Sequence, residues 1–166
     1  VRTFTGGFID LDSVATISVG STRFEANGAG SILDLTALTS FSRNPAVAAT
    51  AGLWANGGTV QTPNLTTIND TYLAVSGAGT IDTADINSVT AADISADTAG
   101  DIAFPVLTTY TATGSHQTDV TATGAGSTID LNNITSWSGG TAFQTTNVRA
   151  FSGGFIDLDS VATISV

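Results

Sequence analysis

Five aspartates recur at one position of a slowly varying period: Asp10, Asp34, Asp82, Asp130 and Asp157. Carboxylates brought into one column could hold Ca²⁺, a hard cation that takes about six to eight oxygen ligands. Asp12, Asp85 and Asp159 lie close by in the sequence. Against a metal column stand Gln61 and Ala103, which occupy the same slot, and the absence of the GGxGxD run of calcium-binding β-rolls. The ordinary alternative is that these acids face outward, opposite inward aliphatics, and keep the wall hydrated. The reading adopted is that the chain requires no metal and no cofactor.

Other side chains that could do chemistry are sparse. Hydroxyl pairs recur at Thr39-Ser40, Thr66-Thr67, Thr108-Thr109 and Thr135-Ser136, with Ala15-Thr16 and Asn87-Ser88 as variants. Flat threonine arrays on β-solenoids bind ice, but they use a T-x-T spacing, whereas these pairs are adjacent and are expected to turn a corner as hydrogen-bonded ladders. Parallel β-helix lyases and hydrolases need paired carboxylates in a cleft or a base to take a proton. This chain has no Lys, its four Arg include the equivalent pair Arg2 and Arg149, and its one His, His116, lies in the polar run GSHQTD and is expected to be solvated. No catalytic residue is assigned. Three N-x-S/T triplets start at Asn64, Asn69 and Asn133, a weak indication of glycosylation in so Thr-rich a chain. Tyr110 and Trp137 fall in a slot that elsewhere holds Ile and Val and are expected to pack inside; Trp54 and Tyr72 are open to other roles.

These residues are positioned by repetition. Residues 1–19, VRTFTGGFIDLDSVATISV, return as 148–166 with only Thr3 changed to Ala150 and Thr5 to Ser152. Inside that 147-residue period a shorter unit recurs, as in GFIDLDSVATI (7–17), GSILDLTALTSF (30–41), GTIDTADINSV (79–89) and GSTIDLNNITSW (126–137). Successive Asp-slot positions are 24, 27, 21, 21, 27 and 27 residues apart, so the long period is six coils of about two dozen residues each. Periods in this range with strand-and-turn composition mark stacked architectures, in which one coil cannot bury its apolar face alone.

Each coil reads as three short strands. Ile129-Asp130-Leu131 shows the period of two that puts aliphatics on one face. The expected core is Leu11, Val14, Ile17, Leu35, Leu38, Phe41, Leu65, Ile68, Ile86, Val89, Leu107, Tyr110, Leu131, Ile134, Trp137, Val161 and Ile164. A third strand is expected at Phe24-Glu25-Ala26, Leu73-Ala74-Val75 and Val120-Thr121-Ala122, ending in the corners NGAG, SGAG and TGAG, where Gly supplies positive φ at little cost. Pro63 and Pro105 sit two residues past the slot, at a bend. TAADISAD (90–97) is the nearest thing to a helix and is too rich in Asp, Thr and Ser to form one. Length differences are expected in the corners within 41–56 and 110–124.

Net charge is −10 with four Arg and fourteen acids, which excludes nucleic-acid and anionic-membrane binding. Hydrophobic content of 42% excludes disorder, and no apolar run approaches a membrane span. With no Cys, stability must come from packing and hydrogen bonds.

The GxIDL-like motif at this spacing resembles the β-solenoid repeats of bacterial giant surface and filamentous-adhesin-type proteins across essentially the whole chain. The expected fold is all-β, a right-handed parallel β-helix of six to seven coils of 21–27 residues, with handedness implied by analogy. Residues 1–166 form a single solenoid segment, 1–147 one super-repeat, and 148–166 the start of the next copy. The expected function is non-enzymatic: a structural segment of an extracellular or cell-surface fibre, sheath or stalk. Its partners are further copies of itself, in tandem or end to end, with lateral bundling of filaments. The alternative is an adhesin or ligand-binding surface for carbohydrate, ice or a host receptor, carried on loops 42–52 and 111–119.

Overall fold

The structure, a computed structural model, describes residues 1–44, 50–112, 116–140 and 144–165. All of its regular structure is strand, and every strand pairing is parallel. The chain winds through three faces in turn, and each coil contributes one strand to each.

The first face stacks Arg2–Phe4, Arg23–Asn27, Gly52–Asn56, Tyr72–Ser76, Asp93–Asp97, Thr118–Thr123 and Thr146–Phe151 in one seven-stranded sheet. The third stacks Thr16–Val19, Ser40–Arg43, Thr67–Asn69, Ser88–Thr90, Thr109–Thr111, Ser136–Ser138 and Thr163–Ser165 in another. The second face is split. Phe8–Asp10, Ile32–Asp34, Thr59–Gln61 and Thr80–Ile81 form four strands, and Asp101–Ala103, Thr128–Asp130 and Phe155–Asp157 form three. Across the break the Thr83 hydroxyl donates to the Ala103 carbonyl.

Alternation puts one column of each pair inside. Phe24, Leu53, Leu73, Ile94 and Val120 line the first face, and Ile17, Phe41, Ile68, Val89, Tyr110 and Trp137 line the third; all are buried. Parallel stacking in register places like on like, so Tyr110 and Trp137 meet as stacked rings with centroids 4.2 Å apart. Of the core expected from sequence, Leu11, Val14 and Val161 are only half-buried, although they pack on the core. Ile164, on the last rung described, pairs in register with Trp137 and is 75% exposed. Its equivalent Ile17 is 6% exposed beneath Phe41.

The corner between second and third faces is the same in every coil. A backbone N–H three residues on closes a turn, as from Val14 to Leu11, Leu38 to Leu35, Leu65 to Thr62, Leu107 to Phe104 and Ile134 to Leu131. The corner from third to first face absorbs the length differences. It is tight at Asp70 and Ala91, which take positive φ of 57° and 49°, and long at 44–51, 112–117 and 139–145. Most of the expected length variation therefore falls at one corner of the three, while the corner from first to second face varies only from two residues between Asn56 and Thr59 to four between Asn27 and Ile32. TAADISAD contributes a strand, Asp93–Asp97.

Candidate functional site

The aspartate column is built from second-face strands whose outward positions align. Asp10 sits beside Asp34, then Gln61; Ala103 sits beside Asp130, then Asp157. Four of the five carboxylates have local work. Asp10, Asp34, Asp130 and Asp157 accept the backbone N–H two residues on, from Asp12, Thr36, Asn132 and Asp159, at 3.0–3.1 Å. This is the Asx-turn, in which a short acid side chain mimics a backbone turn. It also accounts for the interruptions. Where the slot holds Gln61 or Ala103, the residue two on is Pro63 or Pro105, which has no N–H to donate. Pro is favoured at that second turn position, since its ring pre-sets φ. Acid and proline are alternative ways to set one turn. Among the described residues, no group of three or more His, Asp or Glu side chains is arranged to hold a metal ion.

The hydroxyl pairs also resolve into parts. The first member sits at the corner and bonds the coil before it: Thr39 Oγ1 to the Ala15 carbonyl, and Thr66 Oγ1 to the Thr39 carbonyl. The second opens a third-face strand and points outward, which corrects the expectation that the pair turns the corner together. With its neighbour two residues on it makes the T-x-T spacing that the sequence reading excluded. One outward column is Thr16, Ser40, Thr67, Ser88, Thr109, Ser136 and Thr163; the other is Ser18, Ser42, Asn69, Thr90, Thr111, Ser138 and Ser165. These two columns carry no charge, and only Asn69 lacks a hydroxyl. Strand geometry sets the grid at about 4.8 Å between coils and about 6.6 Å along the strand. Asn64 and Asn133, which share a coil slot, donate their amides to the Thr36 and Pro105 carbonyls one coil back, which gives that slot a stacking role.

The charged chemistry gathers at the long corner and the first face. Arg43, at the end of its third-face strand, is buried and donates from Nη2 to Asp70 Oδ1 at 2.8 Å and from Nε to the Asp70 carbonyl at 3.0 Å. His116 places Nδ1 2.6 Å from the same Asp70 oxygen and Nε2 2.9 Å from Asp93 Oδ2. The reading of His116 as a solvated loop residue is thus corrected: it bridges two buried carboxylates from different coils. Burial pushes the Asp93 carboxyl above the usual carboxylate range, against the opposing pull of the Asp119 backbone N–H and His116. Both ring nitrogens are occupied, and a general base needs one free to face a substrate. The cluster joins coils by charge; removing one partner of such a buried pair typically costs about 3–5 kcal/mol.

Along the first face, Glu25 is nearly fully covered by Arg2, 2.7 Å away, Arg23, 2.8 Å away, and the Asn56 amide, which donates at 2.6 Å. Burial alone would raise its pKa, but Arg23 chiefly, with Asn56 and Arg2, holds it below the ordinary 4.5. Arg149, the equivalent of Arg2, pairs with Asp119. The Arg23 guanidinium lies 4.4 Å from the Trp54 ring, and Tyr72 stacks on Trp54 with centroids 5.8 Å apart. These contacts engage Trp54 and Tyr72 on a half-buried wall. Of the proposed ligand loops, 45–49 and 113–115 lie outside the described residues.

No protein-family model, no curated protein and no solved structure matches the chain.

Proposed function

We propose that the chain is a structural, non-enzymatic repeat segment of an extracellular fibre, sheath or surface stalk, built by stacking solenoid coils on further copies of itself. One observation carries this reading: the first and last rungs share a sequence and stand six turns apart in an unbroken register on the first and third faces. A coil identical to the first can therefore be followed by the second, and the stack continues without a change of phase. An acidic, hydroxyl-rich wall suits a hydrated exterior, and its scarcity of basic residues gives no purchase on nucleic acid. Antibody to this segment on intact cells of the source organism is expected to decorate surface filaments; confinement of the antigen to the cell interior would overturn the reading.

The third face supports a second reading, a surface that orders water or a polyhydroxyl lattice. Its two outward columns are uncharged and in register along seven strands. Inhibition of ice recrystallisation that is abolished by Ser88→Lys and Thr109→Lys would favour it, while inert material would remove it.

A further inference from the structure

One joint inside the stack is bonded less than its neighbours. Where the chain enters the second face, a backbone N–H is donated to the coil before: from Ile32 to the Gly7 carbonyl, Thr59 to Ser31, Thr80 to Gly58 and Thr128 to Gly100, each at 2.9 Å. Asp101 and Gly79, the equivalent pair, make no such bond. Where the chain enters the third face, Thr66 and Asn87 donate to the Thr39 and Thr66 carbonyls at 3.0 Å, but Thr108 does not donate to Asn87. Both gaps fall at the joint where the second-face sheet is split, between Thr80–Ile81 and Asp101–Ala103. Among the described residues, that joint is held by five register pairs on the first face, two on the third, the Thr83 hydroxyl and the charged corner around His116. Its inward residues are also the wetter ones: Ile81 is 8% and Ile102 3% exposed, where Leu33, Val60 and Ile129 are 0%.

The corner beside this joint is strained. At its first position Gly28, Gly57, Gly77 and Gly124 take positive φ between 58° and 95°; here that position is Thr98, at 53°, followed by Ala99 at 63°. A side chain in the left-handed region crowds its own backbone, and a β-branched one does so most. Letting Asp101–Ala103 swing away from Thr80–Ile81 would allow both residues to relax, so the strain lowers the cost of opening at this place. We infer that the solenoid has a built-in opening point here: the second face parts between Ile81 and Asp101 first, while the coils on either side stay stacked. Opening is a minor excursion of a continuous closed rod, drawn to the joint with the fewest bonds to break. Under the stacking reading above, each 147-residue period of a stalk carries one such point, where load is relieved reversibly before any fully laddered coil yields.

The test is native-state hydrogen exchange of the full chain in low urea. The Gly77 and Ala91 amides cross this joint, to the Asp97 and Thr111 carbonyls; Gly57 and Asp70 make the equivalent bonds across the joint before, to Ser76 and Thr90. Gly77 and Ala91 should show protection factors about tenfold lower than Gly57 and Asp70. Thr98→Gly restores the residue that other coils place at that position. It should raise the protection of Gly77 and Ala91 by about threefold, the relief of left-handed strain less the backbone entropy of glycine, and leave Gly57 and Asp70 unchanged. Equal protection at the two joints overturns the inference, and so does a Thr98→Gly chain in which Gly77 and Ala91 exchange as in wild type. The readout does not depend on cellular location, so its failure is separate from failure of the surface-labelling experiment.

Discussion

The alternation of aspartate and proline at one corner makes a quantitative claim about two neighbouring residues of the second coil. Asp34→Ala removes the acceptor of the Thr36 N–H, a 3.0 Å bond to a charged group. Such a bond contributes about 1.5–3 kcal/mol when buried, and about 1–2 kcal/mol is expected at this half-buried site. Relief of the like-charge contact with Asp10 returns roughly 0.2–1 kcal/mol, for a net loss of about 1 kcal/mol. Thr36→Pro removes the donor instead and strands the acceptor. It gains about 0.4–1 kcal/mol by stiffening the unfolded chain, because Thr36 occupies the turn position that proline prefers. The double variant has neither an orphan donor nor an orphan acceptor and matches the Pro63 and Pro105 coils. It is expected close to wild type, with a coupling of about 1–2 kcal/mol in the double-mutant cycle. At this chain length that is roughly 2–8 °C in Tm. Thermal and urea melts of the four proteins measure it. Additive losses would refute the Asx-turn account, and a Tm raised by Ca²⁺ in wild type but not in Asp34→Ala would reinstate a metal column.

Three more outcomes are expected. Arg43→Met takes the guanidinium away from the buried Asp70 and should cost about 3 kcal/mol in urea denaturation. Glu25 is held below 4.5, so its stabilising contribution is present at neutral pH and is lost as pH falls through its folded-state value; Glu25→Gln should flatten the stability–pH curve on the acid side of 4.5. A Cβ on Gly79 would collide with the Ala55 carbonyl, a backbone atom with nowhere to move, so Gly79→Ala should destabilise by about 1–3 kcal/mol or more, read from the same melts.

Much of the fold was legible because each coil repeats a local device. An aliphatic recurs four residues beyond Asp10 or Asp130 since a turn of fixed length separates the two strands, and the Gly corners mark positions such as Gly28 and Gly124 with φ of 87° and 95°. Two features were hidden for physical reasons. The hydroxyl face alternates Ser with Thr around a central residue that ranges from Ile to Trp, so T-x-T emerges only once the strands are aligned. The charged corner joins Arg43, Asp70, Asp93 and His116 across coils of unequal length, and no spacing in the sequence brings them together. A half-buried lone histidine beside two acids has no local signature.

The central claim is that the period stacks on itself without a seam. The direct measurement is small-angle scattering of a chain in which residues 20–166 are appended once more after residue 166. Six further coils at about 4.8 Å each predict a single rod whose longest dimension grows by about 29 Å with an unchanged cross-section. Two bodies joined by a hinge, with a broad distribution of end-to-end distances, would contradict it.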